Sequence, residues 1–295
     1  MLSYLKQILA LLILAINALL PLRLSQWIGS ALGSLAYKLA KKRKRIAKLN
    51  IETCLPELSA EEQEKLLKDN FKESGKWFME AGAMWYWSPK RILARTTTSG
   101  HEAIEKAAEE GKGALITLPH LGNWEVMPIY LLENFNFMGM YKPAKEKLLD
   151  QFILWRRKSN DGKLVPADQS GVRQMMKHLK NGGVTGLITD HQPSKSGGFY
   201  IPFFGRPALT GKLTPSLVKA SKAPTFISSV VRKPNGEGFH IHFELLEFTD
   251  IKDLEKTAEE INLALESVIR KNPEQHQWVY KRFSHQPEGF KNLYK

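Results

Sequence analysis

A chain of 295 residues, 43% hydrophobic and 25% charged, has an ordinary globular composition and enough length for one large or two modest domains around a sizeable core. Its 43 Lys and Arg against 30 Asp and Glu leave a formal charge of +13, which favours anionic partners (nucleic acid, anionic lipid or phosphorylated substrates) without choosing among them. The single cysteine, Cys54, excludes an intramolecular disulfide and any multi-cysteine metal cluster.

The chain opens on an apolar run, ILALLILAINALL at residues 8–20, broken only by Asn17. As a helix this run rises roughly 20 Å, short of the ~30 Å hydrocarbon core, and its flanks Tyr4, Leu5, Pro21 and Leu22 extend it to a marginal span. The following NALLPLRLSQW lacks the small-x-small cleavage site of a secretory signal. Residues 1–23 are therefore expected to form a hydrophobic membrane-anchoring helix. Leu24, Trp27, Ile28, Leu32, Leu35 and Leu39 recur at helical spacing, and KKRKR (Lys41–Arg45) follows directly. A basic cluster after apolar helices is the pattern for contact with an anionic leaflet, so residues 24–95 read as a helical, membrane-proximal region.

Within that region residues 61–87 predict a helix, capped by Ser59 and carrying Glu61 and Glu62 in its first turn. After Pro89 the character changes. Helix 101–110 leads to strand 114–118, then a helix at 124–133, a strand at 137–142, a helix at 145–158 and the short strand KLVP. Helix 171–181, strand 184–190, helix 211–221, strand 225–232, an alternating run at 239–248 and a helix at 253–271 follow. Such alternation implies an α/β domain over residues 96–295, a central, mostly parallel sheet flanked by helices, with ligands gathering beyond the carboxyl ends of the strands.

Two strand ends carry candidate chemistry. In LPHLGNWEVMP the strand should end near Leu118, with His120 in the loop, Asn123 as helix N-cap and Glu125 in the first helical turn. A carboxylate on one imidazole nitrogen fixes the tautomer and stabilises the imidazolium formed when the other nitrogen takes a proton, which is what a general base for a hydroxyl needs. Spacing alone allows a helix cap containing a histidine equally well. The second loop, TDHQP, begins with Asp190, and both loops follow a Leu-Ile-Thr triplet, so they should open on one side of the sheet. FYIPFFG with Arg206 fits either the wall of an apolar-ligand pocket or core packing. Tyr141 and Lys142 end a strand. Arg156 and Arg157 end a helix, where they suit the dipole or could grip phosphate oxygens. QWVYKRF, with Trp278, Lys281, Arg282 and Phe283, suits an interfacial or phosphate-facing segment. No dinucleotide fingerprint, Walker A, H-E-x-x-H or nucleophile elbow is present, and no nucleic-acid-binding motif accompanies the charge.

His120-Leu-Gly-Asn-Trp-Glu125 resembles the H-x4-[DE] signature of glycerolipid acyltransferases and, as H-x-G-N-W-E, the bacterial lipid A late acyltransferases. The apolar amino terminus, YKP at 141–143, LWRRKSNDG, TDHQP, IPFFGRPALTG and QWVYKRF carry the resemblance along most of the chain. It implies transfer of a fatty acyl group from acyl carrier protein to a hydroxyl of a lipid A precursor. His120 would be the base and Glu125 its orienting partner, with no metal or organic cofactor. Asn123, Tyr141, Lys142, Arg156, Arg157, Asp190 and Arg206 would face substrate. The expected setting is the bacterial inner membrane, with the catalytic domain on the cytoplasmic side against an anionic surface. The family often has His where this chain has Tyr280.

Overall fold

A computed structural model describes residues 2–143, 146–158 and 163–295, without the side chains of Leu2, Ser3, Leu149 and residues 155–158. Four helices come first: α1 (Leu2–Leu19), α2 (Leu22–Leu39), α3 (Lys41–Cys54) and α4 (Ala60–Tyr86). The expected anchor over residues 1–23 is divided, because Pro21 ends one helix and opens the next. At 18 residues α1 rises about 27 Å, and among the described residues no helix is long and apolar enough to cross a membrane.

Instead α1 and α2 lie along α4. Glycines set the approach: a Cβ on Gly33 would stand 2.1 Å from the Phe71 carbonyl oxygen, and one on Gly75 would stand 2.0 Å from that of Gly29. Gly82 plays the same part toward α1, where a Cβ would meet the Leu14 oxygen at 2.5 Å. Backbones therefore touch directly, as they do where small residues line a helix crossing. The outer sides of α1 and α2 remain apolar and uncovered, with Leu19 82% and Trp27 70% exposed. As predicted, Ser59 caps α4, in a reciprocal capping box with Glu62.

The short α5 (Pro89–Leu93) leads into β1 (Thr96–Ser99), a strand that sequence reading did not anticipate. Then α6 (Glu102–Glu109), β2 (Ala114–Leu118), α7 (Val126–Asn134), β3 (Phe137–Tyr141), α8 (Lys147–Lys158), β4 (Lys163–Pro166), α9 (Gln169–Lys180) and β5 (Val184–Ile188) alternate as expected. A hairpin of β6 (Gly198–Phe203) and β7 (Arg206–Gly211) interrupts the pattern before α10 (Leu213–Ser221), β8 (Thr225–Arg232), β9 (Phe239–Leu246) and α11 (Leu254–Lys271).

Among the described residues the main sheet has seven strands in the order β1-β9-β8-β2-β5-β3-β4. β8, β2, β5, β3 and β4 run parallel, whereas β9 pairs antiparallel with β8 and carries β1 with it. The sheet is thus mostly parallel, with a reversed edge. Strand β2 is at its centre and fully buried, as expected for a strand covered on both faces.

The FYIPFFG segment is core rather than pocket wall. Ile201, Phe203 and Phe204 are buried, and the two phenylalanines belong to one apolar cluster with Ile51, Leu265, Trp278 and Phe283. Beyond α11 the chain returns as a strap, residues 272–283, that ties helices to sheet. Asn70 donates to the carbonyls of Glu274 and His276, and Asn50 to those of Trp278 and Tyr280.

Candidate active site

Parallel pairing of β2 with β5 (Leu118 opposite Ile188) opens their two loops at the same sheet edge. The shared triplets are not themselves in register, since Leu115 faces Thr185. The common direction comes from the parallel pairing. Across it the Thr117 and Thr189 hydroxyls bond at 2.7 Å, and the next residues bring His120 against Asp190.

His120 Nδ1 is 2.7 Å from Asp190 Oδ1, and the His120 backbone N–H donates to Oδ2 at 3.0 Å. The carboxylate on His120 Nδ1 is therefore Asp190, a partner seventy residues away. The chain turns at Gly122 and Asn123, and Glu125 stands at the N-cap position of α7. Asp190 is 3% exposed. Burial alone would raise its carboxyl. The charge and hydrogen bond of His120, then His276 and His191, outweigh burial and hold it well below the usual carboxylate range. An ionised carboxylate has no proton to give, so Nδ1 donates and Nε2 is left as the basic nitrogen.

Three rings stack here. His120 lies 3.7 Å from His191, and His191 lies 3.6 Å from Tyr280, centroid to centroid and nearly parallel. Trp124 meets His120 edge-on at 4.8 Å and stacks on Trp77 of α4. His191 Nε2 bonds Gln277 Oε1, and the Tyr280 hydroxyl accepts from the Gln192 N–H. Burial pushes the His191 imidazole down to about 4, so it is neutral at neutral pH.

His120, Asp190 and His191 bring possible metal-ligand atoms within 4.8 Å of one another. Two imidazoles stacked 13° from parallel aim their in-plane lone pairs side by side, not at one point, and Asp190 already occupies Nδ1. The arrangement suits proton transfer better than metal binding.

A buried brace, missed by sequence reading, fixes the loop from behind. Glu80 of α4 is fully buried and accepts from Gln26 at 2.7 Å, from Asn123 at 2.9 Å, and from Arg232 Nε on both oxygens at 2.8 Å. Burial pushes this carboxyl up, opposed by Arg232 and the two amides. These neighbours are all donors, so a proton on Glu80 would find no acceptor among them, and we read the pair as ionic. Arg232 also donates to the Gly122 carbonyl at 3.1 Å, while the Gly122 N–H reaches the Gln275 carbonyl and the Gln277 N–H reaches that of His120. Gly122 has φ +59°, and a Cβ there would stand 1.8 Å from the Val230 carbonyl oxygen.

The other predicted residues separate. Asn123 is 1% exposed and spent on Glu80, so it braces the loop instead of capping α7 or facing substrate. The Tyr141 hydroxyl donates to Asp150, and Lys142 is exposed at the same sheet edge, two strands from His120. Arg206 donates to the Lys291 carbonyl and holds the carboxyl-terminal segment rather than the reactive loop. The side chains of Arg156 and Arg157 lie outside the described residues. Arg282, read as phosphate-facing, is buried and donates to the Leu209 carbonyl and the Thr210 hydroxyl.

His276 stands on the far side of Asp190, its Nδ1 4.0 Å from Oδ2, and burial pushes it down to about 4. The unfolded chain takes up this proton near pH 6.5, the folded one only near pH 4. The contribution of His276 to stability is therefore full above pH 6.5 and falls between 6.5 and 4, by on the order of 3 kcal/mol. Urea unfolding at pH 7 and pH 5 should show this loss, and His276→Gln should reduce it, leaving the share of His191, which burial also pushes down to about 4; an unchanged slope in the variant would assign the dependence elsewhere.

A cavity of about 630 Å³ opens beside the reactive loop. Its walls come from α2 (Leu32, Ala36), α4 (Phe71, Trp77, Phe78), Gly122 and Trp124 of the loop, and the strap from Gln275 to Tyr280. The volume is that of a small-molecule site, and the lining is chiefly apolar.

Comparison with known proteins identifies the family. The family model described as bacterial lipid A biosynthesis acyltransferase matches residues 1–285. The chain is 30% identical over 277 residues to the lipid A biosynthesis lauroyltransferase of Escherichia coli K12, covering 93% of this chain and 90% of that protein. It is 26% identical over 276 residues to the palmitoleoyltransferase of the same organism, covering 93% and 90%. Its identity to the corresponding myristoyltransferase is 24% over 295 residues, covering 94% and 86%.

Proposed function

This chain belongs to the bacterial lipid A biosynthesis acyltransferase family, and from that premise we propose that His120, oriented by Asp190, is the base of an acyl transfer from acyl carrier protein to a lipid A precursor hydroxyl. The observation that carries the reading is the buried carboxylate on His120 Nδ1, which leaves Nε2 basic in a loop whose Gly122 and Trp124 line an apolar cavity. Nε2 takes the hydroxyl proton as the oxygen attacks the thioester carbonyl. The new C–O bond forms, the C–S bond breaks, and the imidazolium returns its proton to the departing thiolate. While charged, the ring is stabilised by Asp190 and lies against the neutral face of His191, an arrangement of the cation–π kind. Glu125, the acidic residue of the family signature, stands at the start of the following helix, next to this loop.

The uncovered apolar sides of α1 and α2, followed by Lys41–Arg45, support interfacial docking on an anionic inner-membrane leaflet from the cytoplasmic side. Incubation of the purified protein with acyl-acyl carrier protein and a lipid A precursor, followed by mass spectrometry, tests the reaction. One added acyl group is expected. Acyl transfer to a lysophospholipid with none to the lipid A precursor would overturn the acceptor assignment.

A further inference from the structure

The cavity beside the reactive loop is not uniform along its length. Its lining includes Gly122 and Trp124 of the reactive loop and Tyr280 of the strap. The wall includes Leu32 and Phe78, which are themselves exposed and so continue the uncovered apolar face of α2 and α4 into the groove. Another part of the rim is Ala40 and Arg43, where α2 gives way to α3. An occupant matched to these walls is an amphiphile, apolar along α2 and α4, anionic at Arg43, and presenting its reacting group at the loop.

Charge at that rim is arranged for an anion. Arg43 is exposed, and among the described residues no carboxylate pairs with it. The groove's own carboxylate, Glu73, is already held by Lys76 and Arg232. Lys41, Lys42 and Arg43 fill the first turn of α3, which has no acidic residue and no side-chain cap. Three cations at the positive end of a helix repel its dipole, and a bound anion relieves that repulsion.

We propose that this groove is the acceptor subsite and that Arg43 binds a phosphate on the acceptor's headgroup, an inference that rests on the acyl-transfer reading above. The donor thioester then approaches His120 from outside the groove, so the two substrates can be varied independently. The guanidinium offers paired donors to phosphate oxygens, which an ammonium could not match geometrically.

Steady-state rates in neutral detergent micelles test this, with a bisphosphorylated glycolipid acceptor and its enzymatically dephosphorylated counterpart. Arg43→Gln is expected to raise KM for the phosphorylated acceptor about tenfold, the loss of one charge-assisted contact, with kcat and the donor KM unchanged. On the dephosphorylated acceptor the variant and the parent protein should coincide. Lys38→Gln, an exposed cation on the last turn of α2, outside both the groove lining and the first turn of α3, is the control for general attraction and should leave KM unchanged. An unchanged acceptor KM in Arg43→Gln, an equal rise in Lys38→Gln, or a rise that persists without phosphate would each overturn the contact. Failure of the parent protein to acylate either glycolipid would overturn the acyl-transfer reading instead.

Discussion

Replacing His120 by Ala is expected to lower kcat by roughly 10²–10⁴-fold, the usual contribution of a positioned general base, with KM for either substrate little changed. Asp190→Asn should fall in the same range for a different reason. The amide can donate where the carboxylate only accepts, so it permits the wrong tautomer and removes the charge that stabilises the imidazolium. Glu125→Gln should cost less than His120→Ala, because the imidazole keeps its Asp190 partner at 2.7 Å. Single-turnover transfer, with circular dichroism of each variant to show that the fold is retained, separates these outcomes. Full turnover by a folded His120→Ala protein would end the general-base reading, and full turnover by Asp190→Asn would end the role given to that carboxylate.

The second large effect is on stability. Arg232→Met removes the cation that engages both oxygens of Glu80 and leaves a fully buried carboxylate with only the two amides of Gln26 and Asn123. Breaking a buried pair in this way costs about 3–5 kcal/mol, which for a protein of this size is a fall in Tm of roughly 10 °C. The double substitution Glu80→Gln with Arg232→Met should be more stable than Arg232→Met alone. It removes the uncompensated charge and keeps an acceptor for the same amides. Thermal unfolding of Arg232→Met, of Glu80→Gln and of the double variant closes the cycle; a loss under about 1 kcal/mol for Arg232→Met would mean that the pair carries little of the fold's stability. Arg232 also holds the Gly122 carbonyl, so surviving Arg232→Met protein should show reduced kcat as the loop relaxes.

Much of this architecture was legible in the sequence because period and punctuation agree. Strand β2, the short β4, the capping box at Ser59 and α11 are local patterns that tertiary context did not override. The reversed edge formed by β9 and β1 was not legible, since strand direction is set by the connection and not by the residues within the strand. Hydropathy also did not show that Pro21 divides the apolar amino-terminal segment into two helices or that Gly82 draws α1 onto α4. At the site His120 and Asp190 were both identified, but their partnership was not, because a carboxylate five residues along the chain looks nearer than one seventy residues away. A parallel neighbouring strand reverses that ordering. Glu80 and Arg232 gave no signal at all. Each reads singly as a solvated charge, and only their shared burial reveals a pair.

Helix α4 belongs to two environments at once. Phe78 and Tyr86 project from it beside the uncovered apolar faces of α1 and α2, while Glu80, two residues from Phe78, grips the loop that carries His120. With α1 and α2 locked on by backbone contact at Gly29, Gly33, Gly75 and Gly82, the surface proposed to meet lipid and the proposed base form one stiff piece. On a bilayer such a piece acts as a depth gauge. The altitude of His120 above the acyl chains is set by the helix and not by a hinge, so which acceptor hydroxyl reacts becomes a question of which one rises to that height.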